Sequence, residues 1–340
     1  MNSKPQLLPT PDFFEPNLVS QVYRVPYQQR AIAAEEWARQ YKLQPAKSDR
    51  QQIGLLLIDV QNTFCLPEFE LFVGGKSGMG AVEDNIRLCR FIYRNLNQIT
   101  EIIPTLDSHT AIQIFHPIFW INRQGEHPQP LTTIDVAEVE AGIWQVNPNL
   151  GYGFKAEIEQ LQQHALHYVR QLHQNGKYPL TIWSYHSMLG GIGHTLVSGV
   201  EEAIFFHSIA RKSPTKFQIK GDNPLTENYS VLSPKVSNTF NNQIIAQKNT
   251  ELIEKLLNFD ALLVAGQAKS HCVAWTINNL LTEIVAQDPS LAKKIYLIED
   301  CMSPVIIPGV IDFTTQANEA FQKFATAGMN LVKSTDSFLS

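Results

Sequence analysis

The sequence has little of what marks several protein classes. Its four cysteines, Cys65, Cys89, Cys272 and Cys301, lie far apart and form no CxxC pair. That spacing argues against a zinc ribbon or a disulfide framework and fits a reducing compartment. Charge of one sign is not concentrated: 27 Lys and Arg against 32 Asp and Glu give a net charge of −5 and a pI near 6.1. No basic run stands out, so a face for nucleic-acid phosphates is not indicated. Every long apolar stretch is interrupted by charge, Gly or Pro before it reaches the length of a membrane span. The opening residues, Met1-Asn2-Ser3-Lys4-Pro5-Gln6, hold no apolar signal core, so a cytoplasmic protein is expected. Internal repeats and low-complexity tracts are also missing.

What is present is a chain of 340 residues, 44% hydrophobic, able to bury a full core. Residues 1–50 are rich in Pro, Gln and other polar residues, with one helical stretch around Tyr27–Tyr41. They read as an N-terminal arm that packs on the domain or on a partner subunit, a candidate contact for a homo-oligomer. From Gln52 the pattern alternates. Strands are expected at Ile53–Val60, Glu101–Leu106, Tyr178–Trp183, Ala261–Ala265 and Lys294–Ile298. Helices are expected at Val82–Leu96, Glu251–Leu257, Val273–Val285 and Gln316–Ala327, with Gly328 ending the last. Buried strands alternating with helices predict an α/β domain over residues 51–340, a three-layer, doubly wound, mainly parallel sheet covered on both faces. The alternation lapses over 117–180, an expected insertion containing a helix at Lys155–His173. Its histidines, His164, His167 and His173, read as solvated or half-buried, as do His127, His194 and His207.

In an open parallel sheet, ligands bind where strands end. The first strand ends at Asp59, the second at Asp107-Ser108-His109 with His116 seven residues on, and the third at Trp183-Ser184-Tyr185-His186. The strand at Ala261–Ala265 is followed by Cys272, where a helix begins. A thiol there meets loose backbone N–H groups and the positive end of the helix dipole, both favouring thiolate; a small packed cysteine is the plainer alternative. Asp107, His109, His116 and His186 offer one hard oxygen and three imidazoles without sulfur, a donor set for a divalent metal ion: Zn²⁺ first, with Fe²⁺ or Mn²⁺ as alternatives. The stretch Glu70-Leu71-Phe72-Val73-Gly74-Gly75-Lys76-Ser77 nearly spells a phosphate loop, but Glu70 takes the place of the first glycine, so nucleotide hydrolysis is rejected.

Taken together, these segments resemble the isochorismatase-like cysteine hydrolases, and within them the nicotinamidases. Asp59-Val60-Gln61-Asn62-Thr63-Phe64 is similar to the D-x-Q-N-D-F strand end. Asp107, His109 and His116 match the D-x-H metal loop with its later His, and Trp183-Ser184-Tyr185-His186-Ser187 follows W-P-x-H-C. Lys220-Gly221 matches the catalytic lysine and its glycine, with Lys216 four residues earlier as the alternative. Gly266-Gln267-Ala268-Lys269-Ser270-His271-Cys272-Val273 follows G-x-A-x-x-x-C-V. The pattern departs at Thr63, Ser184, Ser187 and Lys269-Ser270, and residues 117–180 exceed the short connection of compact nicotinamidases.

The resemblance implies the isochorismatase-like hydrolase fold and a thiolate amidase. Cys272 attacks the carboxamide carbon, Asp59 handles the proton and Lys220 supports the ion pair. Backbone N–H groups of Ala268 and Cys272 form the oxyanion hole, and the Gln267-Ala268 peptide is cis. The metal ion holds a ring nitrogen, Phe64 and Trp183 sandwich the ring, and nicotinamide, a substrate of NAD metabolism, becomes nicotinate and ammonia. Competing readings are the same triad acting on another amide or a ureido compound, and a non-catalytic metal-stabilised binding protein.

Overall fold

Ile53–Ile58 (β1) and Ala261–Gly266 (β4) are unbroken apolar runs, and every residue of both is buried. That is the pattern of strands covered on two faces. The computed structural model describes residues 7–150, 154 and 157–336, and the chain falls into two units. The first comprises Met1–Leu106, Thr195–Gln218 and Thr250–Ser340, and the second Asp107–His194 and Ile219–Asn249.

The first unit is built on a sheet whose further strands are Glu101–Asp107 (β2), Gln218–Lys220 (β3), Ile295–Ile298 (β5) and Asn330–Val332 (β6). Their order is β6-β5-β4-β1-β2-β3. The pairs β1–β2, β1–β4, β4–β5 and β5–β6 are all parallel. From β1 the chain first builds outward to β2 and later returns to the other side as β4. The order therefore reverses between β1 and β4, which opens a crevice at their carboxyl ends. Helices Tyr27–Gln40 (α1), Gly80–Arg94 (α2), Ser198–Arg211 (α4), Thr250–Asn258 (α5), Ala274–Gln287 (α6) and Thr314–Thr326 (α7) belong to this unit, and Ile158–Gln174 (α3) to the second. The expected elements that recur here do so within a few residues, the usual uncertainty of element ends.

The N-terminal arm is part of the first unit. Arg30 pairs with Glu202 of α4 at 2.5 Å and stacks 3.9 Å over the Phe13 ring. Arg211, 1% exposed, binds both oxygens of Asp49 at 2.6 and 2.7 Å and donates to the carbonyls of Gln44, Leu96 and Ile99. A buried guanidinium persists only when paired and hydrogen-bonded in this way.

His207, expected half-buried, is instead 1% exposed and donates from Nε2 to Ile99 O at 2.9 Å. Burial, with the Ile99 bond opposing it and Arg211 adding repulsion, pushes its pKa down to about 4. The folded state therefore binds fewer protons than the unfolded one between about pH 6.5 and 4, and stability falls with pH across that window. The penalty is absent above about pH 6.5, levels off below about 4, and reaches roughly 3 kcal/mol. Urea midpoints at pH 7 and pH 4.5 should differ by less in His207→Gln than in the parent; equal differences would contradict the assignment.

In the second unit the expected strand Tyr178–Trp183 shrinks to Leu180–Thr181 and pairs antiparallel with Thr133–Ile134 of the insertion rather than joining the parallel sheet. The proline at position 179 has no N–H to give a ladder, which helps keep the strand short. The sheet takes β3 instead, a three-residue strand whose sequence, Gln218-Ile219-Lys220, carries no apolar run. Within the insertion α3 begins at Ile158; residues 155 and 156 of the expected helix lie outside the described residues. His164, on its inner face, is 2% exposed rather than solvated.

Candidate active site

The register Ile58↔Gly266 makes Asp59 and Gln267 leave the sheet side by side, at the crevice between β1 and β4. Gly266 is obligatory: its φ is +126°, and a Cβ there would lie 2.0 Å from Ile58 O. The following Gln267-Ala268 peptide is cis, as the resemblance implies. Lys269–Val273 then forms one π-helical turn, closed by the Val273 N–H on Ala268 O at 3.2 Å, and runs into α6. Cys272 sits in that turn, buried at the helix entrance.

The turn is stitched to the segment around Ser303. Gln267 Nε2 donates to Asp84 Oδ2 at 2.8 Å, and the Ser303 N–H donates to Gln267 Oε1 at 3.2 Å. Lys269 N–H reaches Ser303 O at 2.8 Å, and Val305 N–H reaches Ser270 Oγ at 3.1 Å. This fixes the backbone on both sides of the thiol.

Asp59 is fully buried with a left-handed backbone, φ +49°. Thr105 of β2 donates its hydroxyl to Asp59 Oδ1 at 2.6 Å and accepts the Asp59 N–H at 3.1 Å. That reciprocal pair orients the carboxylate, and sequence reasoning missed it because a threonine in a strand reads as ordinary β-structure. Its signal was the parallel pairing of β1 with β2, which sets Thr105 beside the β1 end.

In the second unit Asp107, His109 and His186 bring one donor atom each within 4.8 Å of one another, all three residues buried. His116 packs against them, its ring centroid 6.1 Å from His109 and 6.0 Å from His186. Each imidazole has Nδ1 on a backbone carbonyl: His109 on Gly221 O at 3.0 Å, His116 on Ala111 O at 3.2 Å and His186 on Ser184 O at 2.7 Å. A carbonyl only accepts, so Nδ1 carries a proton in each ring, and Nε2 is the nitrogen that can offer a lone pair to a metal ion. His109 Nε2 then faces Asp107 Oδ2 at 2.8 Å, and His186 Nε2 lies 3.7 Å from the same oxygen. His116 Nε2 is buried with no hydrogen-bond partner among the described residues. Converging imidazole lone pairs, anchored from behind and set around a carboxylate, fit a divalent cation.

Burial pushes the His116 pKa down to about 3, helped by His186 and His109, and burial also lowers His186. Both rings are neutral and able to ligate at pH 7. Burial pushes the Asp107 carboxyl up, but the adjoining His109 and the Lys220 ammonium outweigh it and hold the group well below the usual carboxylate range.

Lys220 is 3% exposed, its ammonium 2.7 Å from Asp107 Oδ1 and 2.8 Å from Asn228 O, whereas Lys216 is exposed. Gly221 has φ +85°, and a Cβ there would stand 2.6 Å from His109 Cε1 and 2.8 Å from Asp107 Oδ1. The glycine after the lysine is thus required by the two donors it touches. Asp59, Phe64, Ala268 and Cys272 belong to the first unit; Asp107, His109, His116, Trp183, His186 and Lys220 belong to the second. Phe64 and Trp183 are 8% and 9% exposed.

Neither a family model nor a curated protein matches the sequence. Among solved structures the chain is similar to the yeast nicotinamidase Pnc1p, with 17% identity over 83% of this chain and 99% of that one and a TM-score of 0.50. It is also similar to the same yeast enzyme bound to the inhibitor nicotinaldehyde, with 16% identity over 83% and 100% and a TM-score of 0.50. An Acinetobacter baumanii nicotinamidase/pyrazinamidase matches with 18% identity over 85% and 99% and a TM-score of 0.48. The likeness to the yeast structures shows that the chain shares their α/β fold.

Proposed function

We propose that the protein is a metal-containing cysteine amidohydrolase that converts nicotinamide to nicotinate and ammonia through a thioester on Cys272. The observation that carries the reading is the pairing at one sheet crevice of a buried, threonine-oriented carboxylate just after β1 with a thiol at a helix entrance after β4. The thiol proton passes to Asp59, and the Cys272 Sγ forms a bond to the amide carbon while the C–N bond breaks. Asp59 returns the proton to the leaving ammonia, then takes one from the water that cleaves the thioester to acid. Backbone N–H groups of Ala268 and Cys272 hold the developing oxyanion, worth a few kcal/mol in such sites. The resemblance of Lys220-Gly221 to the family's lysine motif gives Lys220 the part of the third catalytic group. Asp107, His109 and His186, with His116 beside them, would hold a divalent ion, which would offer a ligand position to a ring nitrogen. The insertion, which belongs to the unit carrying the metal cluster, favours a larger heteroaryl amide as the second reading.

Thiol reactivity tests the proposal. Burial raises the thiol pKa of Cys65, Cys89 and Cys301, so these three stay protonated and unreactive in the folded protein. Iodoacetamide at pH 6–7 should alkylate Cys272 alone, and nicotinamide should slow the reaction. A Cys272 as inert as the other three would favour the non-catalytic binding protein.

A further inference from the structure

The second unit contains a buried ion pair that the reaction above does not use. Lys235 Nζ lies 3.0 Å from Glu227 Oε2, with the two side chains 5% and 2% exposed. Glu227 Oε2 also accepts the Tyr168 hydroxyl at 2.9 Å, and the Tyr168 oxygen accepts the Glu227 N–H at 3.1 Å. Tyr168 stands on α3 of the insertion. One turn earlier His164 donates from Nε2 to Leu225 O at 2.8 Å, so the helix grips the 225–227 segment with two side chains. A buried ion pair is seldom a net gain over apolar packing of the same volume, so stability alone does not account for this one. What it does is fix positions.

The Lys235 ammonium lies 3.8 Å from the centroid of the Tyr229 ring, and the Tyr229 oxygen accepts the Trp183 indole N–H at 3.1 Å. The cation holds the tyrosine ring by its π face. The hydroxyl then fixes the rotation of the indole, leaving the electron-rich indole face set in one orientation. The Trp183 backbone N–H donates to Phe115 O at 2.9 Å, and the Phe115 ring lies 4.9 Å from that of His109. Trp183 is therefore tied on one side to the metal cluster and on the other to the ion pair.

We propose that Tyr229 and Lys235 determine substrate specificity by positioning Trp183, so that it binds planar heteroaryl carboxamides in preference to aliphatic amides, with the insertion holding the device in place through Tyr168. This rests on the reading that Trp183 meets the substrate ring. An electron-poor pyridine or pyrazine ring stacks well on an indole held face-on, whereas an aliphatic amide gains nothing from that face.

The test uses two variants. Tyr229→Phe removes only the hydroxyl. Lys235→Met with Glu227→Gln removes the cation without leaving a buried carboxylate unpaired. Unchanged metal content and melting temperature would show that both fold. In each variant KM for nicotinamide should rise about tenfold with kcat within about twofold, and kcat/KM for propionamide should not change. Wild-type KM for nicotinamide in both variants would overturn the proposal while leaving the amidase reading standing. If the wild type does not hydrolyse nicotinamide, calorimetry with nicotinamide, benzamide and quinoline carboxamide decides. Binding by the wild type that is weakened in the variants upholds the proposal and rejects only the substrate. Binding unchanged in the variants, or none in the wild type, overturns it.

Discussion

Cys272→Ala is expected to abolish amide turnover, with kcat falling at least about a thousandfold, while the fold and metal content stay as in the parent. Removing a nucleophile leaves only binding and oxyanion stabilisation, which support a small residue of the rate. The other cysteines cannot substitute, because Cys65, Cys89 and Cys301 are structural and held protonated by burial. The loss of one sulfur atom beside a helix entrance is mild for packing. The turn keeps its backbone hydrogen bonds from Val273 to Ala268 and from Lys269 to Ser303. Ammonia release by the variant above a few per cent of the parent would remove Cys272 from the mechanism. Asp59→Asn should come close to the same loss, since the amide cannot take the thiol proton although it can still accept the Thr105 hydrogen bond.

Asp107→Ala should have the next largest effect, on two observables at once. The carboxylate lies 2.8 Å from His109 Nε2 and 2.7 Å from the Lys220 ammonium, with both charged side chains nearly inaccessible. Without it the metal loses its oxygen donor, and affinity should fall at least about a hundredfold. The Lys220 ammonium loses its 2.7 Å partner, and breaking a buried ion pair from one side costs about 3–5 kcal/mol. Metal analysis after dialysis and a urea titration read the two losses separately. Lys220→Met added to Asp107→Asn should recover most of the stability and none of the metal. Metal retained at the parental ratio in Asp107→Ala would refute the ligand set. His186→Ala should also release metal and raise KM for a ring substrate, but with less destabilisation, because the Asp107–Lys220 ion pair stays in place.

Much of this was legible in the sequence because the chemistry sits at the ends of strands. Apolar runs such as Leu55-Leu56-Leu57 and Leu262-Leu263-Val264 locate the central strands, and the polar residues that follow them, Asp59 and Cys272, fall at the crevice the topology creates. The two residues of the D-x-H step, Asp107 and His109, stand in one cluster. What failed was the edge of the sheet. Tyr178–Trp183 has the composition of a buried strand, yet Leu180–Thr181 pairs with the insertion, while the polar Gln218-Ile219-Lys220 enters the sheet. Edge strands are short and partly solvated, so hydrophobic patterning does not mark them. The positioning contacts were hidden for another reason. Thr105 on Asp59, Gly221 against His109, and Tyr229 between Trp183 and Lys235 all depend on approaches between segments distant in sequence.

The central claim is that this chain hydrolyses an aromatic carboxamide, and the most direct test is to measure ammonia and nicotinate released from nicotinamide by the purified, metal-replete protein. The two products should appear in equal amounts, formed over many turnovers. No ammonia from nicotinamide or from any other amide offered, with metal bound and Cys272 open to alkylation, would contradict that claim.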